Sequence, residues 1–158
     1  RLALIKGVKR IQGFMVPKGN PKGIKNFKDL SREDIIFVNR QRGAGTRILV
    51  DYKLDKLGFN TEKIVGYDRE MTTHMSVAAA ITSNTADVGV GVYSAAKAMG
   101  LDFIPIGEEE YDFLIPIEYL ETDIVKGFID VIRSQEFKDE LLEMSGYGVE
   151  EIGKIVEI

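Results

Sequence analysis

Cysteine is absent from this sequence of 158 residues, and histidine occurs once, as His74. Disulfide bonds and thiolate metal sites are therefore excluded, and a metal site with several histidines cannot form within the chain. No apolar run reaches the roughly 18 residues of a membrane helix, and no signal peptide is visible. Together with the missing cysteine, these absences lead us to expect a cytoplasmic protein that does not enter the membrane.

An excess of basic charge is also missing. The chain carries 21 Lys and Arg against 25 Asp and Glu, which gives a formal net charge of -4 at pH 7. Because phosphate backbones are bound by basic surfaces, this balance argues against direct contact with nucleic acid. Hydrophobic residues make up 44% of the chain, as is ordinary for a globular protein, and the length fits one domain with a sizeable core.

The residue patterns of common enzymes are not found. There is no cysteine nucleophile and no Gly-x-Ser-x-Gly elbow, and His74 has no serine and carboxylate partners at a recognisable spacing. Nothing in the sequence selects a pair of carboxylates for glycoside chemistry. We therefore expect a protein that is not an enzyme and that holds neither a metal nor a cofactor.

Apolar stretches with strand character alternate with helical stretches along the chain. This alternation predicts an α/β fold with a mostly parallel sheet and helices on both of its faces. Strands are predicted over 1–16, 35–38, 63–67, 87–92, 101–106 and 111–117. Helices are predicted up to Leu57, from a cap at Thr72 or Thr73 to about Ser83, over 93–99, after Thr122 and over 136–144. Residues 108–110, all glutamates, are predicted to form a solvated turn, and 146–158 have little pattern.

The most informative segment is 39–47, Asn-Arg-Gln-Arg-Gly-Ala-Gly-Thr-Arg, between a predicted strand and a predicted helix. Gly43 and Gly45 permit a tight turn, and the first amides of a helix point outward without partners. Three arginines cluster here, whereas 35–50 contains no acidic residue. The pattern predicts an anion site made by the amides of 44–46, the Thr46 hydroxyl and the charge of Arg42 or Arg47. The alternative is an ordinary strand–helix turn with exposed arginines.

A second segment, 66–74, also lies between a predicted strand and a helix start, and hence at the same edge of the sheet. Thr72 and Thr73 could face the same ligand, although plain N-capping is the favoured interpretation of Thr73. A single histidine such as His74 is more often a structural hydrogen-bonding residue than a catalyst. Asp87 either pairs with an arginine across the site or braces a loop, and Tyr93 could line the same cleft.

The segment 39–47 resembles the Asn-Arg-x-x-Gly-Ser-Gly-Thr-Arg motif of periplasmic-binding-protein-like domains. The likeness continues through 66–70, Thr73 and His74, 86–91, 101–105 and 111–116. Such domains occur fused to molybdopterin biosynthesis proteins or to helix-turn-helix regulators, and they are related to molybdate-binding and LysR-type substrate-binding domains. Ala44 stands where relatives carry serine, which removes one hydroxyl donor from the motif.

The resemblance implies a periplasmic-binding-protein type II-like fold, with two lobes and a ligand cleft between them. We expect 17–116 to form a complete lobe, and 1–16 and 117–158 to supply the crossover and a remnant of the other lobe. Because the chain opens on Arg1 without a methionine, we expect an N-terminally truncated fragment. The apolar surface of an incomplete lobe would favour a homodimer.

The function implied is binding or sensing of a small oxyanion such as molybdate or tungstate, linked to molybdenum cofactor biosynthesis or its regulation. The alternative is a sensor domain, in a transcriptional regulator or a cofactor-assembly protein, for an organic ligand such as a pterin. The predicted ligand-binding residues are Arg42, Gly43, Ala44, Gly45, Thr46, Arg47, Thr72, Thr73, His74, Asp87 and Tyr93.

Overall fold

The computed structural model describes residues 1–158, which divide into two compact units. The continuous unit comprises 12–107, and the split unit comprises 1–11 together with 108–158. The strands are β1 Leu2–Val16, β2 Phe37–Arg40, β3 Glu70–Met71, β4 Val88–Val92, β5 Asp102–Pro116, β6 Tyr147–Gly148 and β7 Ile155–Glu157. The α-helices are α1 Gly45–Lys56, α2 His74–Thr82, α3 Tyr93–Ala98, α4 Asp123–Arg133 and α5 Gln135–Met144. Short 3-10 helices cover Phe27–Ser31, Thr61–Lys63 and Ile117–Tyr119.

The sheet of the continuous unit has the strand order β3-β2-β4-β1-β5. Strand β2 pairs in parallel with both β3 and β4, as the βα alternation predicts. Strand β1 runs antiparallel to β4, with Gln12 opposite Val92. The predicted α/β class is therefore confirmed, and the sheet is mixed because β1 enters it from the opposite direction.

Helices cover both faces of this sheet, as predicted. Neighbouring residues of a strand point to opposite faces, so Phe37 packs into one core and Val38 into the other. The first core contains Val50 and Leu54 of α1, and the second contains Ile81 of α2. The sheet with its two cores holds the carboxyl ends of β2 and β4 in place.

The split unit has its own small core around β1. Strands β6 and β7 pair antiparallel with the first part of β1, so the C-terminal segment joins the sheet although its sequence has little pattern. Ile129 and Ile132 of α4 pack with Ile5 and Ile152. Helix α4 begins where predicted, because the Thr122 hydroxyl accepts a hydrogen bond from an amide of its first turn. None of the helices is both long and apolar enough to span a membrane.

The predicted strand over 63–67 is wrong. The amide of Phe37 donates to the carbonyl of Val65 at 2.8 Å, so this segment begins alongside β2. The chain then turns at Gly66, whose φ of 89° is in the left-handed region. A side chain at Gly66 would collide with the carbonyl of Phe37. Pairing resumes only at Glu70, where β3 begins.

The predicted turn at 108–110 is also wrong, because β5 is continuous through these residues. Glu109 forms an ion pair with Arg10 of β1, and Glu110 pairs with Lys6 at 2.5 Å. These pairs join residues about a hundred positions apart in sequence, and they neutralise a run of charge that resembles a solvated loop. The predicted lobe boundaries at 17 and 116 stay a prediction, since the two units divide within β1 and β5.

Candidate functional site

The candidate site lies at the carboxyl edge of β2 and β3. Arg40, the last residue of β2, stands beside Met71 of β3, and the loops after both strands leave the sheet side by side. Arg40 Nη1 lies 3.1 Å from Nδ1 of His74, and its Nη2 donates to the carbonyl of Thr72 at 3.3 Å. The structure thus brings together the two segments in which the sequence predicts ligand contacts.

A glycine-bearing turn connects β2 to α1 in this site. The Gln41 amide donates to the carbonyl of Met71, and the Ala44 amide donates to the carbonyl of Gln41 at 3.2 Å. Gly43 adopts a φ of 90°, which a glycine tolerates without strain. The Ala44 amide is therefore engaged within the turn, although the sequence predicts it as an anion donor.

The start of α1 is open to a ligand. Ala44 is the N-cap and no side chain caps the helix, so the amides of its first turn have no side-chain acceptor. Gly43 and Gly45 are exposed, and nothing lies within 4 Å of the position that a side chain on Gly45 would occupy. The arrangement leaves amides without side-chain acceptors at the positive end of a 12-residue helix.

Arg42 supplies exposed positive charge beside this helix start. Its side chain is 83% exposed, and its Nε lies 3.9 Å from a carboxylate oxygen of Glu70. At this distance and exposure the pairing with Glu70 is weak. The guanidinium can therefore turn toward an anion at the start of α1.

Arg47, in contrast, is built into the protein and is only 3% exposed. Its Nε donates to Asp51 at 3.0 Å, and its Nη1 donates to Glu70 and to the Arg40 carbonyl, each at 3.0 Å. The guanidinium also lies 4.6 Å from the ring centroid of Tyr67. Its charge ties α1 to β2 and β3, and its donors are directed at protein atoms.

Burial and neighbouring groups together shift the pKa values of Arg47 and Tyr67. Burial opposes the charge of Arg47, but hydrogen bonding with Tyr67 and the nearby Asp51 outweigh burial and raise the pKa of Arg47 above its ordinary value. Burial, followed by the hydrogen bond to Asp51, raises the pKa of Tyr67 as well. Both groups therefore keep their protons throughout the physiological range.

The Thr46 side chain also points into the protein. Thr46 is 2% exposed, and its hydroxyl donates to Oε1 of Gln12 at 2.8 Å. Gln12 is fully buried in β1. The hydroxyl that the sequence predicts as a ligand donor thus links α1 to β1, and the backbone amide of Thr46 remains in the uncapped first turn.

Thr73 caps α2. Its Oγ1 accepts from the Ser76 amide at 3.0 Å, and the Ser76 hydroxyl completes a capping box with the Thr73 backbone. This geometry agrees with the capping interpretation of Thr73. Thr72 is exposed, and His74 lies over Gly91 of β4, where a side chain would lie within 3.2 Å of the imidazole.

Two of the predicted ligand-binding residues, Asp87 and Tyr93, have other partners. The Asp87 carboxylate accepts from the Ile36 amide at 2.8 Å and lies 3.4 Å from Lys22 Nζ, at the amino ends of β2 and β4. It therefore braces the start of the strands, and its basic partner is a lysine. Tyr93 packs edge-on against Phe103, with ring centroids 5.2 Å apart.

Glu70 and Gln12 belong to the site but were missed as site residues. Glu70 lies within the segment 66–74, and its carboxylate places an acid among the arginines, which the acid-free stretch 35–50 did not predict. Gln12 gives no local signal, because it lies within an otherwise apolar part of β1. No group of three or more His, Cys, Asp or Glu side chains is arranged to hold a metal ion.

The sequence of residues 1–133 matches the PBP superfamily domain. The chain belongs to this family. The type II-like periplasmic-binding-protein fold that the motifs imply is thereby confirmed, while fusion to another domain stays a prediction.

One relative by sequence and two solved structures are similar to this chain. Protein YvgK of Bacillus subtilis (strain 168), itself uncharacterized, is 37% identical over 97% of this chain, which spans only 49% of YvgK. A substrate-binding protein assigned to phosphate ABC transport, with bound phosphate, from Clostridium perfringens has a TM-score of 0.62 and 19% identity. The match covers 90% of this chain and 70% of that one. The substrate-binding domain assigned to a molybdenum ABC transporter of Clostridium difficile has a TM-score of 0.61 and 16% identity. The match covers 91% of this chain and 65% of that one. Both likenesses are evidence for the fold.

Proposed function

We propose that this PBP-like chain is a non-catalytic domain that binds a small oxyanion at the start of α1. The observation that carries the proposal is an uncapped helix start in an exposed glycine-bearing turn, with the exposed Arg42 beside it. Amides at a helix start donate to anions, and the helix dipole adds to the attraction. A guanidinium adds charge-assisted hydrogen bonds.

The donors differ from the predicted set because several predicted groups are already engaged. The proposed donors are the backbone amides of Gly45 and Thr46 and the guanidinium of Arg42. Arg47 and the Thr46 hydroxyl hold the turn in place from within the protein. Thr72 and His74, which meet Arg40 at the facing loop, would line the opposite side of the bound anion.

Molybdate or tungstate is the proposed ligand, with phosphate and sulfate as its competitors. Support comes from the N–H donors and positive charge at the site, which suit a tetrahedral oxyanion, and from structural neighbours named for phosphate and for molybdenum. We further propose a role in molybdenum cofactor biosynthesis or its regulation, in the cytoplasm, with a fused biosynthetic or helix-turn-helix domain as partner. An organic ligand such as a pterin is the alternative.

Calorimetric titration of the protein with molybdate, tungstate, phosphate, sulfate and a pterin tests the proposal, and replacements of Gly45 locate the site. Gly45→Pro removes one amide donor, at a helix position that accepts proline. The preceding Ala44, with φ -68° and ψ 139°, is compatible with that proline. We expect roughly tenfold weaker oxyanion binding, because a hydrogen bond to a charged group is lost. Gly45→Ala keeps the amide and should bind like the wild type.

Replacement of Arg42 tests whether its positive charge contributes to oxyanion binding. Arg42→Gln should weaken binding by about tenfold, whereas Lys28→Gln, an equal change of charge at another exposed position, should not. Absence of heat with all four oxyanions would disprove the proposal. Equal affinity of the Gly45→Pro and Gly45→Ala proteins would place the anion elsewhere.

A further inference from the structure

A second concave surface lies at the other end of α1, roughly 18 Å along the helix axis from its start. It is a cavity of about 590 Å³ within the continuous unit, which we call the lysine groove. Its wall is formed by the last turns of α1, by the start of the Phe27–Ser31 helix and by β5. The volume falls in the range of sites for small organic molecules.

The floor of the lysine groove is apolar and aromatic. Phe14 and Phe27 meet edge to face at its base, with ring centroids 4.9 Å apart. Ile106 of β5 packs against the same core. At the rim, Tyr52 and Leu57 are 55% and 50% exposed, so apolar surface continues outward from the floor. Such a surface binds a flat apolar body.

The rim carries one sign of charge. Lys25, Lys53 and Lys56 line the groove, and no acidic residue does. None of these lysines takes part in an ion pair, although acids outnumber bases in the whole chain. Lysines in the last turn of α1 also stabilise that helix through its dipole. That reason does not apply to Lys25, which precedes the Phe27–Ser31 helix.

We propose that the lysine groove is a second ligand site, for an organic anion that combines an aromatic body with a sulfonate, carboxylate or phosphate group. The apolar floor distinguishes this ligand from the bare oxyanion proposed at the start of α1. Lys56 already lies 5.5 Å from the ring centroid of Tyr52, which places its ammonium over the rim. The site is independent of the oxyanion site and does not depend on its ligand.

The test uses anilinonaphthalene sulfonate, a fluorescent aromatic anion, as the probe. Lys25→Gln combined with Lys56→Gln should weaken its binding roughly tenfold, because two unpaired charges are lost from the site. The matched control, Lys28→Gln with Lys63→Gln, removes the same charge from exposed positions outside the groove and should leave the affinity within about twofold of the wild type. The uncharged analogue N-phenylnaphthylamine should bind both double variants alike.

Equal weakening in the two double variants would overturn the proposal, since the probe would then respond to net charge alone. Unchanged binding in the Lys25, Lys56 variant would also overturn it, because the probe would lie on other apolar surface. Saturating molybdate should leave probe affinity unchanged. If molybdate does not bind, that result counts against the oxyanion site only, and the result for the lysine groove is unaffected.

Discussion

At the scale of single residues, burial determines what each arginine near the site does. Arg42 and Arg47 lie in the same short segment, yet one is 83% exposed and the other is 3% exposed. The buried guanidinium has carboxylate, carbonyl and aromatic partners, which compensate for its loss of water. Only the exposed one keeps donors free to move toward a ligand.

Replacement of Arg47 should therefore destabilise the protein. Arg47→Ala leaves Glu70 and Asp51 without their shared partner, and we expect a loss of about 2 kcal/mol in the free energy of unfolding. Arg42→Ala should change it by less than about 0.5 kcal/mol, as at other exposed positions. Urea denaturation followed by circular dichroism measures both. Equal effects of the two replacements would contradict the proposed division of roles.

The ionisation of Asp112 should make the stability of the split unit depend on pH. Burial opposes its ionisation, but hydrogen bonds from Lys6 Nζ at 2.8 Å and from the Gly7 amide at 2.9 Å outweigh burial and hold the pKa of Asp112 below its ordinary value. The hydrogen bond to Asp112, followed by the hydrogen bond to Glu110, raises the pKa of Lys6.

A lowered pKa in the folded state stabilises the protein above the unfolded pKa, about 3.9 for aspartate, and this stabilisation is lost as the pH falls through the folded pKa. The free energy of unfolding should therefore decrease as the pH is lowered from about 5 to below 4. Asp112→Asn should reduce this dependence, whereas Asp68→Asn, at an exposed position, should preserve it. Urea titrations across this range measure the slopes. An unaltered slope in the Asp112→Asn protein would show that its ionisation makes no contribution.

At the scale of elements, the helix starts at the carboxyl edge differ in how they are capped. Helix α2 has a reciprocal capping box formed by Thr73 and Ser76, and α1 has no side-chain cap. A capped start already has acceptors for its first amides, whereas an uncapped start can use a ligand. Helix α3 also lacks a side-chain cap, but α1 is twice as long and has the exposed Arg42 beside its start, so the proposed anion site is placed at α1.

Thr73→Ala should remove the cap of α2 and lower the free energy of unfolding by about 1 kcal/mol. Oxyanion affinity should stay within about twofold of the wild type, because the Thr73 hydroxyl is engaged within its own helix. Thr73→Asn, which can also cap and adds no charge, should retain the stability. Thermal denaturation and calorimetric titration separate the two effects. A tenfold loss of affinity in the stable Thr73→Asn protein would indicate that the hydroxyl contacts the ligand directly.

At the scale of the whole molecule, separate cores support the two units, and the proposed oxyanion site belongs entirely to the continuous unit. Binding of an anion should therefore slow hydrogen exchange of the amides at 43–47. The control window is α4, 123–133, which belongs to the split unit and should exchange at the same rate with and without ligand. Hydrogen–deuterium exchange with and without saturating molybdate measures both windows. Slowed exchange at α4 without any change at 43–47 would place the anion in the split unit.

The sequence by itself determined the features that depend on neighbours along the chain. The α/β alternation, the cap at Thr122 and the cap at Thr73 were all predictable, because caps involve residues within a few positions. The glycine-bearing turn before α1 was predictable for the same reason.

Only the tertiary structure decided what depends on distant partners. Glu110 lies in β5 and pairs with Lys6, 104 positions away, and the Thr46 hydroxyl points inward and donates to Gln12 of β1. Nothing in the local sequence distinguishes the buried Arg47 from the exposed Arg42. Packing assigned their roles, because the energy of a charge depends on which groups surround it once the chain has folded.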